Sequence, residues 1–304
     1  MNIRTDMAHE LREEYMKEYS QTHEGEPDGI ECDVYESHGI KTTKIRVFNQ
    51  NGSDILGKPI GNYYSMDVGK LWMADFDKFK HAANELVKII SSLCDVRSPV
   101  LVAGLGNRYI TSDAIGPLAV NNLVVSHHVK QYERKIYDSA GLGDVSAIIP
   151  GVLAQTGIEA ADQIKGAVEM LKPSSVILID ALACRSLSSL TTTVQITDTG
   201  ISPGSGVGND RGELSEKTFG VKTVCIGIPT VIDARTLVRD ALEACTVMND
   251  EKKDSVIKCA YPEEGSYVCP KDTDVAVDEM ARLAGYAVNK AFHRTLSYEE
   301  MMYM

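Results

Sequence analysis

Apolar positions along this chain alternate between two periods. From Phe79, Ala82, Ala83, Leu86, Ile89, Ile90 and Leu93 fall at helical spacing, and PVLVAG (99–104) follows as a short apolar run closed by glycine. Helix followed by buried strand is the signature of an αβ unit. It recurs downstream, where Thr156-Gly-Ile-Glu159 reads as a capping box ahead of a helix carrying Ile164, Val168 and Leu171. Pro173 ends that helix before the strand VILID (176–180). TTVQITD (192–198) and TVCIGIP (223–229) read as further strands, the latter leading into a helix from about Ala234. Val277, Met280, Ala281, Ala284, Val288 and Ala291 mark a last amphipathic helix.

The amino-terminal part is patterned differently. Residues 1–30 are polar and lack apolar periodicity, so they read as an arm preceding a folded body over 31–304. IKTTKIRVF (40–48) alternates like a strand, and the stretch 49–66 is rich in turn formers, which predicts a small accessory β element. No linker divides residues 76–293 and no repeat is visible. The expected fold is a single three-layer α/β/α domain, its mostly parallel central sheet covered by helices on both faces.

Composition narrows the function classes. A chain of 304 residues with 43% hydrophobic content can bury a sizeable core. The polar amino terminus and the lack of a long apolar run predict no export signal and no membrane span, hence a cytoplasmic protein. The seven cysteines form no C-x-x-C pair and read as reduced, buried residues. A net charge of −12 argues against nucleic-acid binding, which calls for a basic surface.

Candidate chemistry concentrates at strand ends. Asp113 in GLGNRYITSDAIGP (104–117) and Asp180 in VILIDALACRS (176–186) each follow a buried run, where ligand crevices of open α/β sheets lie. Each also has a plain structural reading, Asp113 as a helix cap and Asp180 as a turn former. GLGN lacks the third glycine of a dinucleotide fingerprint, since Tyr109 stands there. The glycine- and serine-rich QITDTGISPGSGVGN (195–209) suits either an anion cradle or a loop lining a peptide cleft. Its Asp198-Thr199-Gly200 matches pepsin-like proteases in letters only, because the surrounding αβ alternation is the wrong architecture. The histidines form no zinc motif, Ser112 lacks a G-x-S-x-G elbow, and Cys184 has no histidine nearby in sequence.

Several long stretches occur together in one order: RTDMAHE (4–10), GKPIGNY (57–63), GLGNRYITSDAIGP, VSAIIPGVLAQTGIEA (145–160), DALACRS (180–186), QITDTGISPGSGVGN and IGIPTVIDA (226–234). On these the chain closely resembles the germination protease family of spore-forming bacteria, endopeptidases that degrade small acid-soluble spore proteins. It departs at Ser112, where the family commonly has proline, and at Cys184, where it commonly has serine; both aspartates remain.

The resemblance implies a hydrolase-like α/β fold similar to hydrogenase maturation endopeptidases, a homotetramer in the spore core, and catalysis by Asp113 and Asp180 without metal or cofactor. It places Gly104, Gly106, Asn107, Arg185, Gly204, Ser205 and Gly206 around the substrate cleft. Two close carboxylates cannot both ionise easily, so one holds a proton while the other activates water. The alternatives are a metal bridged by the same carboxylates, or a non-enzymatic α/β protein binding phosphate or nucleotide. Family substrates are cut between the acid and the apolar residue of Thr/Ser-Glu-apolar-Ala-x-Glu. Thr5-Asp6-Met7-Ala8-His9-Glu10 fits with Asp for Glu, which implies a zymogen that removes Met1–Asp6 by cutting its own Asp6–Met7 bond.

Overall fold

The computed structural model describes residues 5–202, 212–243, 250–260, 265–293 and 295–302. Alternation over residues 30–47 folds as a hairpin, β1 (Ile30–Ser37) pairing antiparallel with β2 (Ile40–Val47). His38 and Gly39 turn between them with φ of 53° and 74°, the left-handed geometry of a two-residue hairpin loop. The stretch 49–66 is more ordered than its turn-rich composition suggests. Asn49 caps the short helix Gln50–Leu56 by accepting from Gly52 N at 2.9 Å, and Gly57 ends it at φ 60°. β3 (Gly61–Asp67) then returns antiparallel to β2.

β3 pairs antiparallel with β7 (Thr193–Thr197), and β7 with β8 (Lys222–Asp233). The expected accessory element is therefore one flank of the main sheet. Past β8 the sheet turns parallel through β6 (Ser175–Cys184), β4 (Val100–Gly104) and β5 (Val145–Ile148). β9 (Tyr267–Val268) pairs antiparallel with the end of β8. The result is one mixed nine-stranded sheet, with three parallel and five antiparallel pairings, which corrects the expectation of a mostly parallel one. Parallel neighbours need a crossover, and those strands are linked through intervening helices such as Ala160–Leu171; the hairpin strands are not.

One face of the sheet is sealed. Ile177, Ile179, Val194, Ile196, Val224 and Ile226 lie under the helices Phe76–Leu93 and Thr273–Phe292 in a single core, where Phe79 and Tyr286 meet edge to face at 5.7 Å. Leu86 and Ile90 are fully buried there, so truncating either to alanine costs about 2–5 kcal/mol.

The opposite face is covered in two patches. Ile164 and Val168 of the helix Ala160–Leu171 cover Leu101, Ala103 and Leu178. Ala8, at the start of the helix Ala8–Tyr19, sits with Ile45, Val47 and Tyr63. Part of the expected arm is thus core, with Met7 and Ala8 both wholly buried. Polar composition hid this because few apolar residues make the contact. The expected capping box at Thr156 also differs: Thr156 ends the short helix Leu153–Thr156, and Ala160–Leu171 has no side-chain cap. No described helix is long and apolar enough to cross a membrane.

Candidate active site

Between the two covered patches the sheet presents a polar row. Gln195 on β7 lies opposite Gly227 on β8, and Gly227 lies opposite Asp180 on β6. Residues in register share a face, so the Gln195 and Asp180 side chains stand two strand spacings apart, roughly 9–10 Å, and Gly227 adds no side chain of its own between them, leaving that space to Leu182. A Cβ at Gly227 would meet Leu182 Cδ1 at 2.3 Å, so the trough depends on glycine there. The sequence reading has Asp180 close its strand, but β6 runs on to Cys184, with a register shift between Leu182 and Ala183.

Asp113 arrives from the other side. It sits in the 3-10 turn Thr111–Asp113, and its carboxylate accepts from Asn107 N at 2.9 Å. Gly106 makes this turn possible at φ 106°, since a Cβ would lie 2.1 Å from the Asp113 carbonyl oxygen. Gly104 packs under the following helix instead, where its own Cβ would be 2.2 Å from Gly116 O. Asp113 and Asp180 line one cavity of about 310 Å³ with Asp6, Gly106, Leu182 and Thr230. That volume accommodates several waters at ~30 Å³ each.

Burial raises the Asp180 pKa well above the usual carboxylate range, the Asp113 charge adds to this, and Asp6 adds less. Ala181 N donates to Asp180 at 2.9 Å and opposes the shift. Like charges in a buried site push one carboxylate to hold its proton. Among the described residues, no group of three or more His, Cys, Asp or Glu is placed to hold a metal ion.

The amino-terminal segment runs through this trough. Asp6 N donates to Ala183 O at 2.9 Å, and Ala183 N donates to the Asp6 carboxylate at 2.9 Å, so the segment lies along β6. The Asp6 carbonyl oxygen accepts from Lys58 Nζ at 3.0 Å and from Gln195 Nε2 at 2.9 Å. Gln195 also accepts from Ala8 N at 2.7 Å, holding both sides of the Asp6–Met7 peptide. Met7 fills an apolar pocket with Leu182, Cys184, Leu190 and Ile232. Glu10 accepts from Arg185 N at 2.7 Å and Ser186 N at 2.9 Å, and the Thr5 hydroxyl donates to the same carboxylate.

The remaining expected cleft residues divide. Asn107 orients Asp113 through its backbone and accepts from Gln155 Nε2 at 2.7 Å through its side chain. The Arg185 guanidinium donates to Asp240 from Nε and Nη2 at 2.9 and 2.7 Å and pairs with Glu14 at 2.6 Å, while its backbone N meets the segment at Glu10. Gly204, Ser205 and Gly206 lie outside the described residues. Asp198, set aside with its Thr-Gly neighbours, accepts from Asn62 N at 2.8 Å and Asn62 Nδ2 at 2.7 Å, as a turn residue does. Burial raises the Cys184 thiol pKa, which leaves it inert as a nucleophile. Lys58, Gln195 and Gly227 had no role in the sequence reading. Lys58 and Gln195 do fall within the distinctive stretches GKPIGNY and QITDTGISPGSGVGN.

Fold and site together define an α/β protein whose sheet holds an extended peptide segment beside a buried carboxylate, Asp180, and a half-buried one, Asp113, a layout suited to a peptidase. Sequence comparison carries this to a family. The family profile described as germination protease matches residues 6–248. The germination protease of Caldanaerobacter subterraneus subsp. tengcongensis is 38% identical, over 99% of this chain and 97% of its own. Those of Clostridium tetani and Clostridium acetobutylicum are 35% and 36% identical, each over 99% of this chain and 98% of theirs. The chain belongs to the germination protease family, peptidases of spore germination.

Proposed function

We propose that this protein is an endopeptidase that cuts small acid-soluble spore proteins after an acidic residue, and that its first substrate is its own Asp6–Met7 bond. The observation that carries the reading is the seating of residues 5–10, where each defined position of the cleavage motif has a partner. The Asp6 carboxylate meets Ala183 N, Met7 fills the apolar pocket, and Ala8 is enclosed at 0% exposure. Glu10 meets two backbone amides. A substrate carrying the same pattern fits the same groove.

In this reading Asp113 takes a proton from a water in the cavity, and that water attacks the Asp6 carbonyl carbon. Asp180, holding a proton by virtue of its raised pKa, gives it to the Met7 nitrogen as the C–N bond breaks. An Asp6 carboxyl and a Met7 amine result. Residues 1–30 are then an arm that includes the propeptide Met1–Asp6, ahead of the peptidase domain 31–304. The resemblance further supports a homotetramer in the spore core, which light scattering on purified protein tests.

The direct test is hydrolysis of a synthetic peptide matching residues 2–12, followed by mass spectrometry of the products. Cleavage between the positions of Asp6 and Met7, lost in Asp113→Asn and in Asp180→Asn with folding intact, is expected. Full activity in either variant removes that residue from the mechanism.

A further inference from the structure

The two carboxylates account for the proton movements but leave the scissile oxygen unattended. In acyl transfer that oxygen gains a full negative charge, and donors aimed at it are commonly the largest single contribution to rate. Beside the cavity of the dyad, Asp6 also lines a second cavity of about 270 Å³, shared with Lys58, Tyr63, Gln195 and Thr199. Two donors already reach the Asp6 carbonyl oxygen, Lys58 Nζ at 3.0 Å and Gln195 Nε2 at 2.9 Å.

We propose that Lys58 and Gln195 form the oxyanion site of the peptidase, an ammonium and an amide that receive the charge developing on the scissile carbonyl. The inference rests on the reading of Asp6–Met7 as the scissile bond.

Three features carry it. The first is register: Gln195 and Asp180 flank Gly227 in one row, so a peptide held by the Gln195 amide lies within two strand spacings of Asp180. On the nitrogen side Met7 N donates to Thr5 Oγ1 at 3.1 Å, within the segment itself, whereas the oxygen side is met by Lys58 and Gln195 of the folded body. The second is the fixing of Gln195. Its Oε1 accepts from Ala8 N at 2.7 Å, which sets the amide orientation so that Nε2 donates to Asp6 O. The third is Lys58 itself. Gly57 at φ 60° and Pro59 bracket it, so the backbone delivering the ammonium is constrained on both sides. Burial lowers its pKa, and the Asp6 carboxylate opposes that shift.

The step balances within the proposed reaction. As water adds to the carbonyl carbon, the C=O π pair moves onto oxygen and is held by the two donors. When the pair returns to reform C=O, the C–N bond breaks and nitrogen takes the Asp180 proton. Neither Lys58 nor Gln195 gains or loses a proton.

The test follows appearance of the Met7 amino terminus in the full-length chain by mass spectrometry, in wild type, Lys58→Met, Lys58→Gln and Gln195→Met. Hydrogen exchange at Arg185 and Ser186, the amides that hold Glu10, reports in parallel whether the segment is still docked. Loss of an oxyanion donor slows reaction about 10²–10³-fold, and that fall is expected in each variant with docking protection retained. Cleavage at the wild-type rate in these variants overturns the inference and leaves the peptidase reading standing. Loss of rate together with loss of docking also overturns it, since the side chains then only hold the segment. A wild-type chain that never forms the Met7 terminus removes the underlying reading instead.

Discussion

Asp180 carries opposing demands on stability and activity. Its folded pKa is raised, so the folded state binds its proton more tightly than the unfolded chain does. The wild-type contribution is therefore fullest below the unfolded value, about 3.9, and is lost as pH rises toward the folded pKa. Asp180→Asn keeps an oxygen for Ala181 N and removes the buried charge. Its melting temperature is expected to exceed wild type increasingly as pH rises from about 4 to 8, while activity is lost; a constant difference across that range contradicts the assignment. Glu10 makes a second residue-scale prediction. Glu10→Gln weakens two charge-assisted bonds from Arg185 N and Ser186 N, and is expected to slow self-cleavage roughly tenfold or more in a time course by mass spectrometry. Both aspartates were legible in sequence because each follows a buried apolar run, PVLVAG for Asp113 and VILI for Asp180. Lys58 was not, because a lysine in a turn-rich stretch has no local signal; only the fold across residues 6 to 195 gives it a partner.

Elements decide where those residues stand. The trough exists because β8 contributes Gly227 to the row and because the turn after β4 can pass Gly106 beneath Asp113. Gly106→Ala meets the Asp113 carbonyl and forces an L residue into φ 106°. It is expected to cost about 1–3 kcal/mol and to abolish cleavage by displacing Asp113; a variant with wild-type melting and wild-type rate contradicts this placement. The helices at Phe76–Leu93 and Thr273–Phe292 were readable because their apolar spacing is long and regular. β3 was missed because Tyr63, Tyr64, Ser65 and Met66 are all buried, so no alternation marks the strand. The antiparallel flank followed from that omission: without β3, nothing linked the hairpin to β7. Asp180 was placed at a strand end because an acid after Val-Ile-Leu-Ile reads as a turn former, whereas pairing with β8 keeps the chain extended as far as Cys184.

At the scale of the whole molecule, the groove is filled by the chain's own amino terminus. Met7, Ala8 and Glu10 remain tethered to the helix Ala8–Tyr19, so cutting after Asp6 frees only the residues before Met7. In the proposed function, a substrate in trans takes the seats of Met7, Ala8 and Glu10, and these residues withdraw before it binds. Arg185 and Ser186 amides are accordingly expected to exchange faster after processing, and faster exchange is expected to accompany the onset of peptide hydrolysis. Protection unchanged in a fully active processed chain contradicts that account. The most direct measurement of the central claim is the intact mass and amino-terminal sequence of the purified full-length chain after incubation across a range of pH. The account predicts a single new terminus at Met7, absent in Asp113→Asn and in Asp180→Asn. A terminus elsewhere, or one at Met7 that forms equally fast in both variants, contradicts it.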